Sequence, residues 1–253
     1  MKISVVTAVF NRAGTILEAM QSLQSQSYPQ IEHLIQDGGS SDGTVETICA
    51  ASNQSTFLVS EADEGIYDAI NRGIKRATGD VIGLLHSDDF YASEEVLAKI
   101  ARSLSDPKVD GVYGDLQYVS ADDPGRVVRH WRAGPYRAEL LRRGWMPPHP
   151  TVYLRREVFE RLGLYDTSFR IAADYDAMLR YLGAGNIKLT YIPEVLIKMR
   201  LGGESNRSLE RIVRKSREDL RAIRKNGVGG GGTLVAKNLS KIGQFIVKDK
   251  TAK

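Results

Sequence analysis

Two adjacent carboxylates, Asp88 and Asp89, follow the apolar run Val81–Leu85 almost directly. Such a buried strand ending in paired carboxylates carries a large desolvation cost unless a positive group binds there. Mg²⁺ or Mn²⁺ would meet that need, because these ions prefer oxygen ligands and often share one or two protein carboxylates with substrate phosphates. The alternative is an N-cap for the helix that begins near Ser93. Spacing alone leaves both interpretations open.

Asp37 closes a second apolar stretch, Ile31–Gln36. Its carboxylate could accept the imide N–H of a uracil, or the amino and imide N–H groups of a guanine. The competing interpretation is a turn in which the side chain bonds its own backbone. That interpretation is strong for Asp42 in the same loop, and the residues alone also favour it for Asp37.

Asp174 lies in the sequence Arg-Ile-Ala-Ala-Asp-Tyr-Asp, at the start of a predicted helix. A helix N-terminus favours an ionised carboxylate, and such a carboxylate in a cleft could act as a general base. A plain N-cap is the alternative that the residues by themselves favour. His149 lies between Pro148 and Pro150, whose rings fix the backbone, so its imidazole could line a site.

The elements that must position these residues alternate between strand and helix over the first ninety residues. This alternation predicts a parallel sheet with crossover helices, in which ligands bind at the carboxyl ends of the strands. Asn11-Arg12, Asp37 and Asp88-Asp89 are therefore expected at one edge. The predicted strands are Ile3–Val9, Ile31–Gln36, Thr56–Val59 and Val81–Leu85, and the helices are 16–23, Thr44–Ala51 and Ile66–Ala77.

The second half of the chain has a less regular pattern. Predicted strands there are Val109–Val119, Val127–Trp131, Thr151–Leu154, Ile187–Ile192 and Val195–Met199, and predicted helices are Glu94–Leu104, Tyr136–Arg143, Asp174–Leu182 and 205–226. We expect one domain over 1–226, a glycine-rich hinge over 227–232 and a basic amphipathic tail over 233–253, with its apolar side formed by residues that include Leu234 and Leu239.

Composition and charge narrow the class of protein. The 253 residues contain 42% hydrophobic and 26% charged residues, which excludes collagen-like and disordered chains. One cysteine excludes an intrachain disulfide, and no apolar run approaches the roughly 18 residues of a membrane span. The apolar run at the N-terminus is too short for a signal peptide, so we expect a cytoplasmic protein. Residues 204–253 hold 13 Lys and Arg against 5 Asp and Glu, which predicts a negatively charged partner surface.

Several segments together resemble family 2 glycosyltransferases of the GT-A fold. They are the strand Ile3–Val9 with Asn11-Arg12, the turn over 36–44, Glu-Gly-Ile-Tyr-Asp-Ala-Ile-Asn-Arg-Gly-Ile over 64–74, Leu-Leu-His-Ser-Asp-Asp-Phe over 84–90, and His-Pro-Thr-Val-Tyr-Leu-Arg-Arg over 149–156. They are most similar to bacterial members that build exopolysaccharide, colanic-acid-like or lipid-linked oligosaccharide chains. The resemblance implies an α/β fold, with a mixed, mainly parallel sheet flanked by helices and a basic helical C-terminal extension.

The resemblance also implies a nucleotide-diphosphate sugar, a divalent cation (Mg²⁺ or Mn²⁺) and one inverting displacement. It assigns roles as follows: Thr7 and Arg12 line the nucleotide pocket, Asp37 binds the base, Asp88 belongs to the ribose or metal shell, Asp89 holds the metal, and Asp174 deprotonates the acceptor. His149 would lie on the acceptor side. The family often has Glu before the catalytic Asp, whereas Ala173 precedes Asp174 here, so Asp176 stays an alternative base.

The implied acceptor is a glycan or a polyprenyl-diphosphate-linked sugar. The basic segment 204–253 then suggests an anionic membrane surface, on the inner face of the cell membrane, and not a nucleic acid. Two other functions compete with this one. A sugar-phosphate nucleotidyltransferase would need a Gly-rich basic loop after the first strand, where only Asn11-Arg12-Ala13-Gly14 stands. A non-catalytic binding protein would not need Asp88, Asp89 and Asp174 together.

Overall fold

The computed structural model describes residues 1–201 and 209–240, and the side chain of Leu209 is not among the described parts. The strands in this part of the chain are β1 (Ile3–Val9), β2 (Ile31–Asp37), β3 (Thr56–Ser60), β4 (Val81–Leu84), β5 (Phe90–Tyr91), β6 (Gly111–Val119), β7 (Val127–Trp131), β8 (Tyr153–Arg155) and β9 (Leu189–Arg200). The helices are α1 (Ile16–Gln24), α2 (Thr44–Ala51), α3 (Ile66–Arg76), α4 (Val96–Ser103), α5 (Arg156–Leu162), α6 (Ala173–Leu182), α7 (Leu209–Lys225) and α8 (Gly231–Ser240), with 3₁₀ helices at Ala138–Arg143 and His149–Thr151.

The first four strands form the parallel half of one mixed sheet. Their order is β3-β2-β1-β4, and every pairing among them is parallel. All seven residues of β1 are buried, as expected for a strand covered on both faces. Val9 pairs with Asp37 and Val6 pairs with Leu84, so the three strands end at one edge. The loops that follow these strands therefore lie close together, as predicted, because the register of the strands makes them end at the same edge.

The second half continues the same sheet with mixed pairing. The order runs on from β4 through β8, β6, β9 and β5, and β7 pairs with β6. β8 is antiparallel to both β4 and β6, whereas β6 and β9 are parallel. The two strands predicted over 187–192 and 195–199 are one strand, because a register shift near Gly114 and Asp115 accommodates the irregularity around Pro193.

Helices cover both faces of the sheet, which is why the strands are so apolar. α3, α5 and α6 pack on one core cluster, and α1 and α4 pack on another. Gly83 in β4 allows close packing at the centre, since a Cβ there would lie 2.1 Å from the Tyr153 ring. The predicted α/β sheet with flanking helices is confirmed.

The C-terminal helices pack onto the domain. α7 contacts α6, and α8 contacts both α7 and the 3₁₀ helix at Ala138–Arg143. α8 begins at Gly231, inside the segment predicted as a hinge, and it buries Thr233 and Lys237 while Leu239 stays 59% exposed. The buried side of α8 is therefore partly polar, unlike the predicted apolar side. The rest of the predicted tail, 241–253, lies outside the described residues, as does 205–208 of the predicted helix. Within the described ranges, no helix is long and apolar enough to cross a membrane.

Candidate active site

The loops after β1 and β2 are joined by hydrogen bonds at the carboxyl edge of the sheet. The backbone N–H of Asn11 donates to Ser40 Oγ at 2.8 Å, and that of Arg12 donates to Thr44 Oγ1 at 2.8 Å. Asn11 has a φ of 50°, a left-handed conformation that asparagine tolerates better than most residues. Asp42 closes the arrangement by accepting the N–H groups of Ala13 and Thr44. Arg12 is thereby held at the rim, as the sequence predicts.

Asp37 lies at the same edge but its carboxylate is already engaged. It is completely buried and accepts the backbone N–H groups of Gly39 at 3.0 Å and Ser40 at 2.9 Å, together with the hydroxyl of Ser60 at 2.7 Å. The loop-organising interpretation of this residue is therefore realised. The ring of Phe10, which is 56% exposed, lies beside this loop near Gly38.

Thr7 is buried beneath the edge, and does not reach its surface. Its hydroxyl donates to the Leu85 carbonyl at 2.8 Å and lies 2.9 Å from His33 Nε2. Burial lowers the pKa of His33 to about 3, so this imidazole is neutral at physiological pH. Thr7 thus fixes the start of the loop that carries Asp88 and Asp89.

Asp88 and Asp89 follow β4 and have different surroundings. Asp89 is 1% exposed, whereas Asp88 is partly exposed. One oxygen of Asp89 accepts the backbone N–H of Arg200 at 3.3 Å, and the other, Oδ2, has no hydrogen-bond donor among the described residues. Burial, and then the charge of Asp88, raise the pKa of Asp89 well above its usual range. Arg200 itself forms an ion pair with Glu18 on α1.

Asp174 stands in the first turn of α6 and is partly exposed. Its Oδ1 accepts the hydroxyl of Tyr67, on α3, at 3.2 Å. Burial opposes ionisation of Asp174, but interactions with His149, Lys215, Lys237 and the Tyr175 backbone N–H outweigh it and lower the pKa. Asp174 is therefore a carboxylate at neutral pH, as a general base must be.

Two histidines, His86 and His149, belong to a chain of contacts that leads from the loop after β4 towards Asp174. The rings of His86 and His149 are 6.3 Å apart, and His149 Nε2 lies 2.8 Å from the Tyr165 hydroxyl. Burial lowers the pKa of His86, while the charges of both Asp88 and Asp174 act in the opposite direction. The Tyr165 ring stacks on that of Tyr67, whose hydroxyl donates to Asp174, so these contacts connect His86 in the Asp88 loop with Asp174. Burial also lowers the pKa of His149 to about 4.

Asp176, the alternative base, is enclosed by side chains that pair with its carboxylate. It is completely buried and forms ion pairs with Lys225 at 3.1 Å and Arg180 at 3.8 Å, and it accepts the side-chain amide of Asn226 at 3.0 Å. These contacts tie α6 to the C-terminal end of α7. Because its oxygens are engaged and unexposed, Asp176 cannot meet an acceptor hydroxyl.

A carboxylate from another helix organises the N-terminus of α6. Glu218, on α7, accepts the backbone N–H groups of Ile171 at 2.8 Å, Ala172 at 3.0 Å and Arg170 at 3.2 Å. α6 has no side-chain cap of its own. Glu218 therefore satisfies donors that would otherwise be unpaired, and it fixes the turn that presents Asp174.

The structure brings together part of the predicted set. His149 is linked to Asp174 through Tyr165 and Tyr67, and its ring lies 6.3 Å from that of His86, in the loop that carries Asp88 and the buried Asp89. Arg12 follows β1, the strand next to β4, Asp37 ends β2, two strands from β4, and Thr7 is buried below them. Sequence reasoning missed the roles of His86, Tyr67, Tyr165, Arg200 and Phe10. For His86 and Tyr67 a signal existed, since both lie within the segments that carry the family resemblance, 84–90 and 64–74.

The carboxylates themselves decide whether a divalent cation fits. Over 1–201 and 209–240, no group of three or more His, Cys, Asp or Glu side chains is placed to hold a metal ion. The unpaired Oδ2 of Asp89 and the neighbouring Asp88 nevertheless form a site that favours positive charge. Two carboxylates suffice for a cation that takes its other ligands from substrate phosphates, so these residues fit such an ion.

The family of the chain follows from comparison with known proteins. The model of the glycosyl transferase family 2 matches residues 4–169, well over half of the chain. The chain belongs to glycosyl transferase family 2. Glycosyltransferase Rv1514c of Mycobacterium tuberculosis, itself described as uncharacterized, is 31% identical over 180 residues, which cover 70% of this chain and 68% of that protein. A PGL/p-HBAD biosynthesis glycosyltransferase of Mycobacterium bovis is 28% identical over 208 residues, which cover 80% and 78%.

Solved structures share the fold of this family 2 protein. The mannosyltransferase PcManGT of Pyrobaculum calidifontis, in complex with GDP-Man and Mn²⁺, superposes with a TM-score of 0.68 at 20% identity, covering 93% of this chain and 68% of that one. S. aureus TarS 1–349 in complex with UDP-GlcNAc gives 0.65 at 20% identity, covering 88% and 66%. Against another TarS structure the match spans only 40% of the TarS chain. The GT-A architecture predicted from the sequence is confirmed.

Proposed function

We propose that this family 2 protein is an inverting glycosyltransferase. It moves a sugar from a UDP- or GDP-sugar to a hydroxyl of a glycan or polyprenyl-diphosphate-linked acceptor in polysaccharide biosynthesis. The observation that carries the proposal is the chain of contacts from Asp174 through Tyr67, Tyr165 and His149 to His86, in the loop that carries Asp88. No described feature favours the nucleotidyltransferase, whose Gly-rich loop is missing.

The donor would bind along the carboxyl edge of the sheet. Phe10 offers an exposed aromatic face on which a base can stack, and Asp37 orders the loop beside it. Arg12, at the rim, would line the nucleotide pocket. PcManGT and TarS bind GDP-Man and UDP-GlcNAc, which supports a nucleotide-sugar donor here but does not choose the base.

The two β4 carboxylates would hold a divalent cation together with the donor diphosphate. Asp88 is the accessible member, so we assign it the direct contact, with the buried Asp89 supporting it. The PcManGT complex contains Mn²⁺, and Mg²⁺ has the same preference for oxygen ligands. Such a cation neutralises negative charge that accumulates on the diphosphate.

Asp174 would serve as the general base. Its carboxylate takes the proton from the acceptor hydroxyl, the freed oxygen forms the bond to the anomeric carbon, and the bond from that carbon to the diphosphate oxygen breaks. The bonding electron pair leaves with the diphosphate. A single displacement of this kind inverts the anomeric configuration. The hydroxyl of Tyr67 holds Asp174 in place, and His149 would line the acceptor side.

The membrane proposal is supported by the outer surfaces of the last two helices. Ile212 and Val213 on α7 are 51% and 49% exposed, and Val235 and Leu239 on α8 are 57% and 59% exposed. The surrounding segment is strongly basic. Exposed apolar side chains with nearby Lys and Arg bind anionic lipid surfaces, so we propose a peripheral position on the cytoplasmic face of the membrane.

The proposal is tested by release of nucleoside diphosphate from a panel of UDP- and GDP-sugars with Mn²⁺. Asp174→Asn should lower kcat by about 10²–10⁴-fold and preserve calorimetric donor affinity, whereas Asp88→Asn should lose Mn²⁺-dependent donor binding. Asp122→Asn, an exposed aspartate between β6 and β7, is the matched control. Full turnover by Asp174→Asn rejects the base. Donor affinity in Asp88→Asn that still responds to Mn²⁺ rejects the cation site.

A further inference from the structure

Lys237 is buried in α8, within the segment that the sequence predicts to be a basic amphipathic tail. Its side chain is 4% exposed, and its ammonium lies 2.8 Å from Oδ1 of Asp219, whose side chain is 2% exposed. Burying an ion pair is expensive because both charges lose their hydration. α8 buries this pair while it leaves Val235 and Leu239 in solvent. A helix usually buries its apolar side chains and exposes its charged ones, so hydrophobic packing alone does not explain this orientation of α8.

The surroundings of Lys237 are specific and lead to the proposed base. Its ammonium lies 3.0 Å from the centre of the Tyr175 ring, and Tyr175 follows Asp174 on α6. On the other side, Gly144 contacts the backbone of α8. A Cβ on Gly144 would lie 2.8 Å from Lys237 Cα, and the φ of Gly144 is +74°, a conformation that also favours glycine. The close approach to Gly144 thus fixes the position of α8, and the Lys237 ammonium contacts Tyr175 in the first turn of α6.

We propose that Lys237 is a positioning residue for the transfer reaction: its buried ammonium, held by Asp219 and Tyr175, stabilises the Asp174 carboxylate from the C-terminal helix. This inference rests on the proposed function, because it concerns the proposed base. Lys237 touches neither donor nor acceptor in this role, and it acts through α6.

The charges around Asp174 explain why Lys237 would matter. The titratable groups that face it are Tyr67 on α3, His86 after β4, His149 and Tyr165 from the intervening segment, Lys215 on α7 and Lys237 on α8. At neutral pH the histidines are uncharged, because burial lowers the pKa of both. The permanent positive charges are the two lysines. Lys215 lowers the pKa of Asp174 more than Lys237 does, but its side chain is 31% exposed, whereas that of Lys237 is 4% exposed.

The decisive experiment titrates Asp174 directly by ¹³C NMR of carboxyl-labelled aspartate, with Asp174→Asn identifying the signal. Lys237→Met keeps the length of the side chain and removes the charge, so the Asp174 midpoint should rise. Asp219→Asn removes the negative partner of Lys237, so the midpoint should fall. Arg224→Met, which removes an exposed charge from α7, should leave the midpoint unchanged.

Both variants break the same ion pair, so a purely structural role would shift the Asp174 midpoint in the same direction in both. Shifts in opposite directions therefore indicate an electrostatic role. An unchanged midpoint in Lys237→Met, or shifts of the same sign in both variants, overturns the proposal. If Lys237→Met does not fold, Lys237→Gln takes its place with the same expected rise. Lys237→Met/Asp219→Asn removes both buried charges, and its midpoint should lie between those of Asp219→Asn and the Lys237 variant.

Turnover separates this inference from the proposed function. With a soluble donor, Lys237→Met should leave the donor KM unchanged and move the acid limb of the kcat pH profile to higher pH, because Asp174 then needs a higher pH to ionise. A wild-type protein that turns over no donor defeats the proposed function, while the NMR titration still decides the role of Lys237. An unmoved acid limb and an unshifted Asp174 signal in Lys237→Met, in a protein that turns over donor, defeat the role of Lys237 alone.

Discussion

At the scale of single residues, surroundings decide what chemically identical carboxylates do. Asp174 and Asp176 lie two positions apart on α6, yet one is partly exposed beside Tyr67 and the other is enclosed by Lys225, Arg180 and Asn226. A carboxylate with free access can exchange a proton with a substrate. One whose oxygens are already paired can only stabilise the fold.

Asp176→Asn is therefore expected to lower the free energy of unfolding by about 2–4 kcal/mol, because it leaves Lys225 and Arg180 without their buried partner. Asp174→Asn should change it by less than about 1 kcal/mol. Urea unfolding followed by circular dichroism measures both. A variant order in which Asp174→Asn is the more destabilised would contradict this division of roles.

At the scale of elements, α7 supports α6, the helix that carries the proposed base. Glu218 accepts three N–H groups at the start of α6, Asp219 holds Lys237 beneath it, and Lys225 pairs with Asp176 farther along. Three contacts along one helix fix both the position and the tilt of α6. The C-terminal segment is thus a component of the proposed site.

Glu218→Ala should lower the free energy of unfolding by about 1–2 kcal/mol, because three backbone donors at the α6 N-terminus lose their acceptor. It should also increase amide hydrogen exchange at 170–176. Glu210→Ala, at an 83% exposed side chain in the first turn of α7, is the matched control. Equal exchange at 170–176 in the Glu218 and Glu210 variants would show that α6 does not depend on this cap.

At the scale of the whole molecule, buried neutral histidines couple the fold to pH. The folded pKa of His33 is about 3 and that of His149 about 4, against 6.5 for an unburied imidazole. Below pH 6.5 the unfolded chain binds protons that the folded chain does not. The contribution of these groups to stability is therefore constant above about pH 6.5 and falls as the pH decreases from there towards the folded pKa values.

For His33, this linkage lowers the free energy of unfolding by about 2 kcal/mol at pH 5. His33→Asn should therefore show a smaller loss of stability between pH 7 and pH 5 than the wild type, by about that amount. Urea denaturation at the two pH values provides the measurement. If wild type and variant lose the same free energy over this interval, His33 is not the buried neutral group described.

The proposed membrane association depends on the outer surface of the C-terminal helices. Val235→Ser/Leu239→Ser removes exposed apolar side chains from α8 and should weaken sedimentation with phosphatidylglycerol vesicles several-fold. Val127→Ser/Val128→Ser removes exposed valines from β7 and serves as the control. Binding should also weaken in high salt, at about 1 kcal/mol for each Lys or Arg near the surface. Equal loss in both double variants would place the lipid contact elsewhere.

The sequence by itself determined the order of the elements, the parallel first half of the sheet and the family. These follow from short-range information: apolar runs mark β1, β2 and β4, and turn residues mark the loops after them. Because parallel strands end together, the placement of Asp37 and Asp88 at one edge also followed. The family motifs then suggested the chemistry.

Only the tertiary structure gave Asp174 and Asp176 different surroundings, linked the His86 loop to Asp174 and packed α8 onto the domain. Each depends on contacts between residues far apart in the chain, such as Tyr67 with Asp174, 107 positions on. Local sequence patterns do not predict contacts between residues so far apart in the chain. In α8, Leu239 of the predicted apolar side is exposed, Leu234 is partly buried against the core, and Lys237 pairs with Asp219 in the interior.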